Sequence, residues 1–267
     1  MIVNVLSIAG SDPSGGAGIQ ADIKAISANG GYAMAAITAL TVQNTQGVRD
    51  VRLVDPAFVA AQVAAVFDDI RVDAVKIGML GTAEITAAVA GVLAGRRVPV
   101  VLDPVMVAKG GDRLLAADAV AALRAHLLPL CDVLTPNLPE AADLLGESEA
   151  VDRRGMEVQA RRLLALGPRA VLLKGGHLPG LDSPDLLASG DGMRWIEGAR
   201  MATVNTHGTG CTLSSALAVH LARTGDAMAA ALAAKVYTLA AIAGADRLSV
   251  GRGHGPTDHF SMMREPK

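Results

Sequence analysis

One segment of the chain combines glycines with a thiol directly before a helical pattern. It is residues 205–212, which read Asn-Thr-His-Gly-Thr-Gly-Cys-Thr, and leucines recur every four residues behind it at Leu213, Leu217 and Leu221. Glycines let the backbone turn tightly, and the first N–H groups of a helix lack partners within the helix. Because the helix dipole also favours negative charge there, the segment predicts an anion-binding turn.

Cys211 falls at the predicted start of this helix. A helix N-terminus is expected to lower a thiol pKa, so Cys211 is a candidate base. A base beside an anion hole indicates phosphoryl or acyl transfer. The spacing alone fits equally well a glycine turn with a structural cysteine, and both interpretations stay open at this point.

Carboxylates and a lysine follow other predicted strands. Asp103 ends one strand in an Asp-Pro pair, and Glu140 follows the next strand in Asn-Leu-Pro-Glu. Carboxylates at neighbouring strand ends suit a hydrated Mg²⁺ that bridges phosphates. Asp-Pro and Asn-Leu-Pro are also ordinary turn formers, and taken alone each segment is better interpreted as a turn. Lys174 precedes two glycines, where a lysine either reaches phosphate oxygens or is solvated. His177 and His207 lack metal-ligand spacing and are interpreted as structural or as hydrogen-bonding to substrate.

The glycine-rich loop at residues 10–18 could hold a polar ligand close to the backbone. Residues 16–21, which begin in this loop, fit the permissive dinucleotide pattern, but the next strand ends at Gln43, where such a site needs an acidic residue. A nicotinamide-dependent dehydrogenase is therefore disfavoured. A Walker A loop is excluded, because no Gly-Lys dipeptide occurs in the chain.

Composition restricts the partners. The chain has 267 residues, a net charge of −2 and 2% aromatic residues, which is unlike a nucleic-acid-binding protein. Two cysteines, Cys131 and Cys211, permit no disulfide framework. The N-terminus lacks the pattern of a signal peptide, and the apolar stretch 227–245 carries Lys235 at its middle. We therefore expect a cytoplasmic protein with no membrane span and no nucleic-acid partner.

Short apolar runs alternate with helical patterns along the chain, which predicts parallel strands joined by crossover helices. A (β/α)₈ barrel has a similar length, but a turn-rich, antiparallel-looking stretch at 184–204 and a final helix pair favour an open, doubly wound sheet. Strands are predicted at 2–9, 36–42, 74–77, 98–102, 132–134 and 170–173, and helices at 15–29, 56–70, 82–93, 116–127, 139–145, 152–166, 209–223 and 227–246.

Seven segments, in order along nearly the whole chain, together resemble the hydroxymethylpyrimidine/phosphomethylpyrimidine kinases of thiamin biosynthesis, in the ribokinase-like superfamily. They are IAGSDPSGGAGIQAD (8–22), ITALTVQNT (37–45), KIGML (76–80), VLDPVMV (101–107), TPNLPE (135–140), KGGH (174–177) and NTHGTGCT (205–212). The resemblance implies one ribokinase-like domain over residues 1–267, with a doubly wound, mostly parallel sheet flanked by helices on both faces. It also implies phosphorylation of 4-amino-5-hydroxymethyl-2-methylpyrimidine, to the monophosphate and then the diphosphate, with ATP and Mg²⁺.

Site roles follow from the same resemblance, carried over motif by motif. It implies a base at Cys211, with Gly208 and Gly210 in the anion hole, and it implies metal-side carboxylates at Asp103 and Glu140. The nucleotide side comprises Lys174, Thr206, Gly208 and Lys235. The pyrimidine side comprises Gly10, Asp12, Ala17, Gln43, Met79 and Val105. The family is often dimeric, so a homodimer is implied. Two alternatives stay open: a kinase of pyridoxal or pyridoxine, and a pyrimidine-binding regulator without catalysis.

Overall fold

A computed structural model describes residues 1–106 and 117–264. Within these ranges nine strands form one sheet in the order β3-β2-β1-β4-β5-β6-β7-β8-β9. The strands are β1 (Asn4–Ser11), β2 (Tyr32–Asn44), β3 (Gly47–Leu53), β4 (Ala74–Ile77), β5 (Val100–Leu102), β6 (Val133–Leu134), β7 (Ala170–Lys174), β8 (Asp185–Ser189) and β9 (Gly192–Ile196). The helices are α1 (Gly18–Ala28), α2 (Pro56–Asp69), α3 (Ala83–Leu93), α4 (Ala117–Ala122), α5 (Leu138–Leu145), α6 (Arg153–Leu164), α7 (Thr209–Thr224) and α8 (Ala227–Ala243).

The six central strands, from β2 to β7 in the sheet order, are parallel to one another. The edge strands β3, β8 and β9 pair antiparallel to their neighbours. The sheet is open, as the sequence predicts, and the antiparallel stretch after residue 184 is confirmed as the β8–β9 hairpin.

Side chains of each central strand alternate between two hydrophobic clusters, one on each face of the sheet. In β4, Ala74 belongs to the cluster that holds α7 and α8, whereas Val75 belongs to the cluster that holds α2 and α3. In β6, Val133 and Leu134 divide in the same way. Successive strand residues point to opposite faces, so helices on both sides bury strands that are almost continuously apolar.

Some element boundaries differ from the sequence prediction. Helix α1 begins at Gly18 rather than residue 15, because Gly15 lies in a turn whose N–H donates to the carbonyl of Asp12. The sequence pattern does not predict strand β3. This edge strand has little burial, and its Arg49, Asp50 and Arg52 give it the polar composition of a loop. The predicted first residue of the 116–127 helix, Ala116, and the last of the VLDPVMV motif, Val107, lie outside the described residues.

One segment, Ala227–Arg247, is long and apolar enough to cross a membrane by length and composition, a test that core helices of soluble proteins also pass. Here its buried side chains, among them Ala234 and Ala241, lie in the interior of the protein. Lys235 at its middle is also buried, in an ion pair with Asp185.

Candidate active site

A cavity of about 910 Å³ lies at the carboxyl ends of the parallel strands. Strand β1 has β2 on one side and β4 on the other, so the strand order changes direction at β1. Doubly wound sheets bind ligands at such a switch point. All the predicted site residues line this one cavity: Gly10, Asp12, Ala17, Gln43, Met79, Asp103, Val105, Glu140, Lys174, Thr206, Gly208, Gly210, Cys211 and Lys235. The structure therefore brings them together, although they span most of the chain.

The start of α7 forms the predicted turn. Gly208 caps the helix with a φ of 76°, in the left-handed region. A Cβ at this position would lie 1.8 Å from the carbonyl oxygen of Gly16, so only glycine lets the first loop and the α7 turn touch. A Cβ on Gly210 would lie 3.3 Å from Asp103 Oδ2 and 3.3 Å from Lys174 Nζ. The helix N-terminus thus opens directly onto the charged residues of the cavity.

The thiol of Cys211 lies in the cavity wall within the first turn of α7, partly exposed. The expectation of a lowered pKa was wrong. Burial raises the pKa of Cys211 to about 12, against the opposing effect of the Lys76 ammonium. Asp22 and Asp103 add to the rise, because negative charges disfavour a thiolate. The thiol is consequently protonated in the free protein at neutral pH.

A buried ion pair lies at the base of this wall. Lys76 Nζ is 2.9 Å and 3.0 Å from the two carboxylate oxygens of Asp22, and neither side chain is exposed. The hydroxyls of Ser7 and Ser215 donate to the same carboxylate at 2.6 Å and 2.8 Å. Sequence reasoning assigned no role to Asp22. Its signal was Lys76 itself, since a lysine inside an apolar strand requires a buried partner.

Lys174 lies between the two carboxylates that were assigned to the metal. Its Nζ is 3.0 Å from Asp103 Oδ1 and 3.8 Å from Glu140 Oε2. Burial would raise the pKa of Asp103, but Lys174 and Lys76 hold it below its usual range. Burial raises the pKa of Glu140 to about 7, with Asp103 adding to the rise and Lys174 opposing it. The Glu140 carboxyl therefore titrates near neutrality.

The donor set at this position fits a hydrated divalent cation. Hydrogen bonds within the described ranges use only Oδ1 of Asp103 and Oε2 of Glu140, the latter in a capping box with Asn137. One oxygen of each carboxylate is left for an ion. Mg²⁺ binds one or two carboxylates and takes its other ligands from water and phosphates.

Lys235, which is predicted to lie on the nucleotide side of the cavity, is held in place by a carboxylate. Its Nζ lies 2.7 Å from Asp185 Oδ2 and donates to the carbonyl of Ser183 at 2.7 Å. Asp185 also accepts the N–H of Gly175 at 3.1 Å. Thr206 lies at the same wall, where its carbonyl accepts the hydroxyl of Thr209 at 2.8 Å. Lys235 thus fixes the loop after β7 through Asp185, a residue that sequence reasoning did not single out.

The predicted pyrimidine side is lined by the first loop, β2 and the segment after β4. A Cβ on Gly10 would lie 2.7 Å from Met79 Cε, so the loop and the methionine are in close contact. His207 Nε2 is 2.8 Å from Asp12 Oδ2 and 3.5 Å from the Gln43 amide. His207 therefore interacts with two residues of this side, in agreement with the interpretation of a hydrogen-bonding histidine.

Comparison with known proteins identifies the family. The phosphomethylpyrimidine kinase profile matches residues 12–258. This chain belongs to the phosphomethylpyrimidine kinase family. It is 51% identical over 259 residues to the hydroxymethylpyrimidine/phosphomethylpyrimidine kinase of Salmonella typhimurium, with 97% of each protein covered. It is 52% identical to part of a thiamine biosynthesis bifunctional protein of Geobacter sulfurreducens, covering 96% of this chain and 52% of that one.

The fold is shared with solved structures of vitamin kinases. The pyridoxal kinase of Bacillus subtilis, solved as an ADP complex, superposes with a TM-score of 0.91 at 37% identity, covering 99% of this chain and 100% of that one. The ribokinase-like, doubly wound fold that the sequence predicted is confirmed. Membership of a phosphomethylpyrimidine kinase family makes this chain a phosphotransferase of thiamine biosynthesis.

Proposed function

We propose that this chain phosphorylates 4-amino-5-hydroxymethyl-2-methylpyrimidine with ATP and then phosphorylates the monophosphate to the diphosphate. The observation that carries the proposal is the meeting of the α7 anion turn, Cys211, Asp103, Glu140 and Lys174 around one cavity. Phosphoryl transfer depends mainly on positioning and charge stabilisation, which these groups supply. The family and the full-length similarity to a hydroxymethylpyrimidine/phosphomethylpyrimidine kinase support the choice of acceptor.

The transferred phosphoryl group is bound at the N-terminus of α7. Residues 208–211 line the cavity at the start of α7, and the N–H of Thr209 donates to the carbonyl of Thr206. The N–H groups of Gly208, Gly210 and Cys211 are therefore the candidate donors to the phosphoryl oxygens, and a preorganised donor contributes about 10²–10³ to the rate. Lys174 stands beside Gly210 and reaches the same oxygens. Asp103 and Glu140 would hold Mg²⁺, which when bound shields the charge of the phosphates.

The acceptor ring lies between the first loop and β2. Gln43 hydrogen-bonds its polar edge, and Met79 and Val105 contact its faces, with Gly10, Asp12 and Ala17 closing the loop side. An amide can both donate to and accept from an aminopyrimidine. Cys211 lies at the junction of the acceptor and phosphate sides. Its thiolate, formed when the thiol has lost its proton to solvent, takes the hydroxymethyl proton as transfer proceeds. Thr206 and Lys235 border the nucleotide.

An ADP-release assay with each acceptor tests the proposal. The purified chain, ATP and Mg²⁺ are combined separately with the hydroxymethylpyrimidine, its monophosphate, pyridoxal and pyridoxine. We expect the highest kcat/KM with the pyrimidines. A higher kcat/KM with pyridoxal would reassign the enzyme to the alternative that the Bacillus subtilis structure represents. Pyrimidine binding without ADP release would instead support a regulator.

We also propose that the enzyme works in the cytoplasm as a homodimer, which the family resemblance implies. Sedimentation equilibrium should give twice the chain mass of 27.2 kDa. A single-chain mass at assay concentrations would contradict the dimer and leave the catalytic proposal untouched.

A further inference from the structure

One arginine side chain holds most of the loop that follows β7. The guanidinium of Arg200 donates four hydrogen bonds to backbone carbonyls of this loop, which comprises residues 175–182. The acceptors alternate along the chain: Gly176 at 2.7 Å from Nη1, Leu178 at 2.5 Å from Nη2, Gly180 at 2.9 Å from Nε and Asp182 at 3.1 Å from Nη2. A guanidinium has five N–H donors in a fixed plane, so this loop takes four of the five.

Both ends of the loop lie against lysines that are predicted to border the nucleotide. The loop begins directly after Lys174, and the carbonyl of Ser183, directly after its end, accepts a hydrogen bond from Lys235 Nζ at 2.7 Å. Gly176 and Arg200 themselves line the cavity. The loop is therefore part of the cavity wall on the predicted nucleotide side.

Burial alone does not hold this loop in place. Leu178 belongs to the hydrophobic core, but residues 179–182 are all exposed. The N–H of Arg200 donates to the carbonyl of Leu181 at 2.9 Å, and the chain continues from Arg200 into the segment that ends at the α7 turn. Four carbonyl oxygens with partial negative charge would repel one another at this range without a cation among them. Arg200 thus fixes the exposed half of the loop and connects it to the segment that leads to α7.

We propose that Arg200 is a positioning residue for the nucleotide, because it fixes the shape of the loop that forms this wall of the cavity. The inference rests on the proposed function, which places the nucleotide beside Lys174 and Lys235. The guanidinium acts through the loop and not on the reacting atoms. Its loss should therefore weaken nucleotide binding in the ground state and the transition state alike, which raises KM for ATP and leaves kcat unchanged. A lysine cannot replace it, since an ammonium is a point charge without the planar fork that reaches four carbonyls.

Arg200→Ala and Arg200→Lys test this role through nucleotide affinity. Titration calorimetry with ADP should give a Kd raised about tenfold or more in both variants, because neither can bind the four carbonyls. In ADP-release assays KM for ATP should rise by a similar factor, whereas kcat and KM for the pyrimidine should stay within about twofold of the unsubstituted values. Arg194→Ala is the matched control and should leave the ADP Kd unchanged, because Arg194 carries the same charge, is exposed on β9 and does not line the cavity.

Rescue by free guanidinium ion separates positioning from a general loss of stability. Arg200→Ala leaves the four carbonyls without their donor, so added guanidinium ion should restore part of the ADP affinity. Ammonium ion, which lacks the planar fork, should not restore it. Thermal unfolding is measured on every variant, and if Arg200→Ala does not fold, the Kd of Arg200→Lys, which keeps the charge, decides the comparison.

Three results would overturn the inference. They are an ADP Kd within about twofold of the unsubstituted value in every folded Arg200 variant, an equal increase in Arg194→Ala, and equal restoration by ammonium and guanidinium. If the unsubstituted protein bound ADP but released none with the pyrimidine, the proposed function would fail, and the ADP titrations would still decide the role of Arg200.

Discussion

Cys211 is surrounded by charges of both signs, and their sum determines when its thiol can act. Lys76 favours the thiolate, but burial and the carboxylates of Asp22 and Asp103 disfavour it and bring the pKa to about 12. A thiolate exists only rarely at neutral pH under these conditions. Only this rare thiolate can accept the hydroxymethyl proton, so we expect most of the rate acceleration to come from the anion turn.

Replacing Cys211 tests this division of work. Because so little thiolate is present, Cys211→Ala should lower kcat by about 10², the lower end of a general-base contribution. Below the pKa of Cys211, the fraction of the side chain in the thiolate form increases about tenfold for each pH unit. If the thiolate is required, kcat/KM should therefore rise with pH. Cys211→Asp should flatten that rise, because an aspartate is already ionised. Steady-state ADP release across the pH range measures both effects, and turnover of Cys211→Ala within about threefold of the unsubstituted enzyme would remove the assignment.

Asp103 and Glu140 give a second residue-level prediction. Asp103→Asn and Glu140→Gln should raise the Mg²⁺ concentration for half-maximal rate, since an amide is a weaker ligand than a carboxylate. The pKa of Glu140, raised to about 7, adds a pH effect. Below that pH Mg²⁺ must displace a proton, so the Mg²⁺ requirement should rise as pH falls, and Glu140→Gln should abolish this rise. Glu149→Gln is the control, because Glu149 is an exposed carboxylate shortly after α5 and does not line the cavity. Mg²⁺ titrations of Asp103→Asn and Glu140→Gln that match the unsubstituted enzyme would assign both residues to turns rather than to the metal.

At the scale of elements, local sequence patterns were sufficient wherever periodicity and apolar runs agreed. The apolar run at 74–77 and the helix behind Cys211 were placed within a residue of their positions, β4 (Ala74–Ile77) and α7 (Thr209–Thr224). Strand β3 could not be read, because an edge strand with polar residues lacks the burial that creates a pattern. The expectation of a lowered pKa for Cys211 was wrong for a related reason. The helix start is visible in the local sequence, whereas the burial and the carboxylates that raise the pKa come from distant segments.

The glycines at the two ends of α7 provide a matched pair of substitutions. Gly208 and Gly225 both have positive φ, 76° and 65°. An alanine there costs about 1–2 kcal/mol in backbone conformation at either end. A Cβ on Gly208 would lie 1.8 Å from the backbone oxygen of Gly16, whereas a Cβ on Gly225 would meet nothing within 4 Å. Gly208→Ala should therefore displace the first loop and cut kcat strongly, while Gly225→Ala should lower stability alone. Thermal unfolding and ADP release measured on both variants separate these effects, and equal kcat losses would contradict a special role for the α7 turn.

At the scale of the whole molecule, one sheet edge brings the proposed acceptor, phosphate and metal sides together around one cavity. The seven sequence segments meet there because parallel strands all end at the same edge. Among the described residues, one glycine turn combines a helix N-terminus with Cys211 and the Asp103–Lys174 pair. We therefore expect both phosphorylations to use the same place, with the phosphate of the monophosphate lying where the hydroxyl had been.

Two substitutions distinguish a shared pocket from separate ones. Gln43→Ala should raise KM for both acceptors by similar factors, because the ring is the same in each. Cys211→Ala should lower the first step more than the second, because a phosphate oxygen is already ionised and has less need of a base than an alcohol. Val42→Ala, exposed on β2 between Thr41 and Gln43, controls for disturbance of that strand. The measurement is ADP release with each acceptor supplied separately. Loss of the first activity in Gln43→Ala with an undiminished second would mean that the monophosphate binds elsewhere. A similar KM increase for both, with the larger Cys211→Ala effect on the alcohol, would place both reactions at the α7 turn.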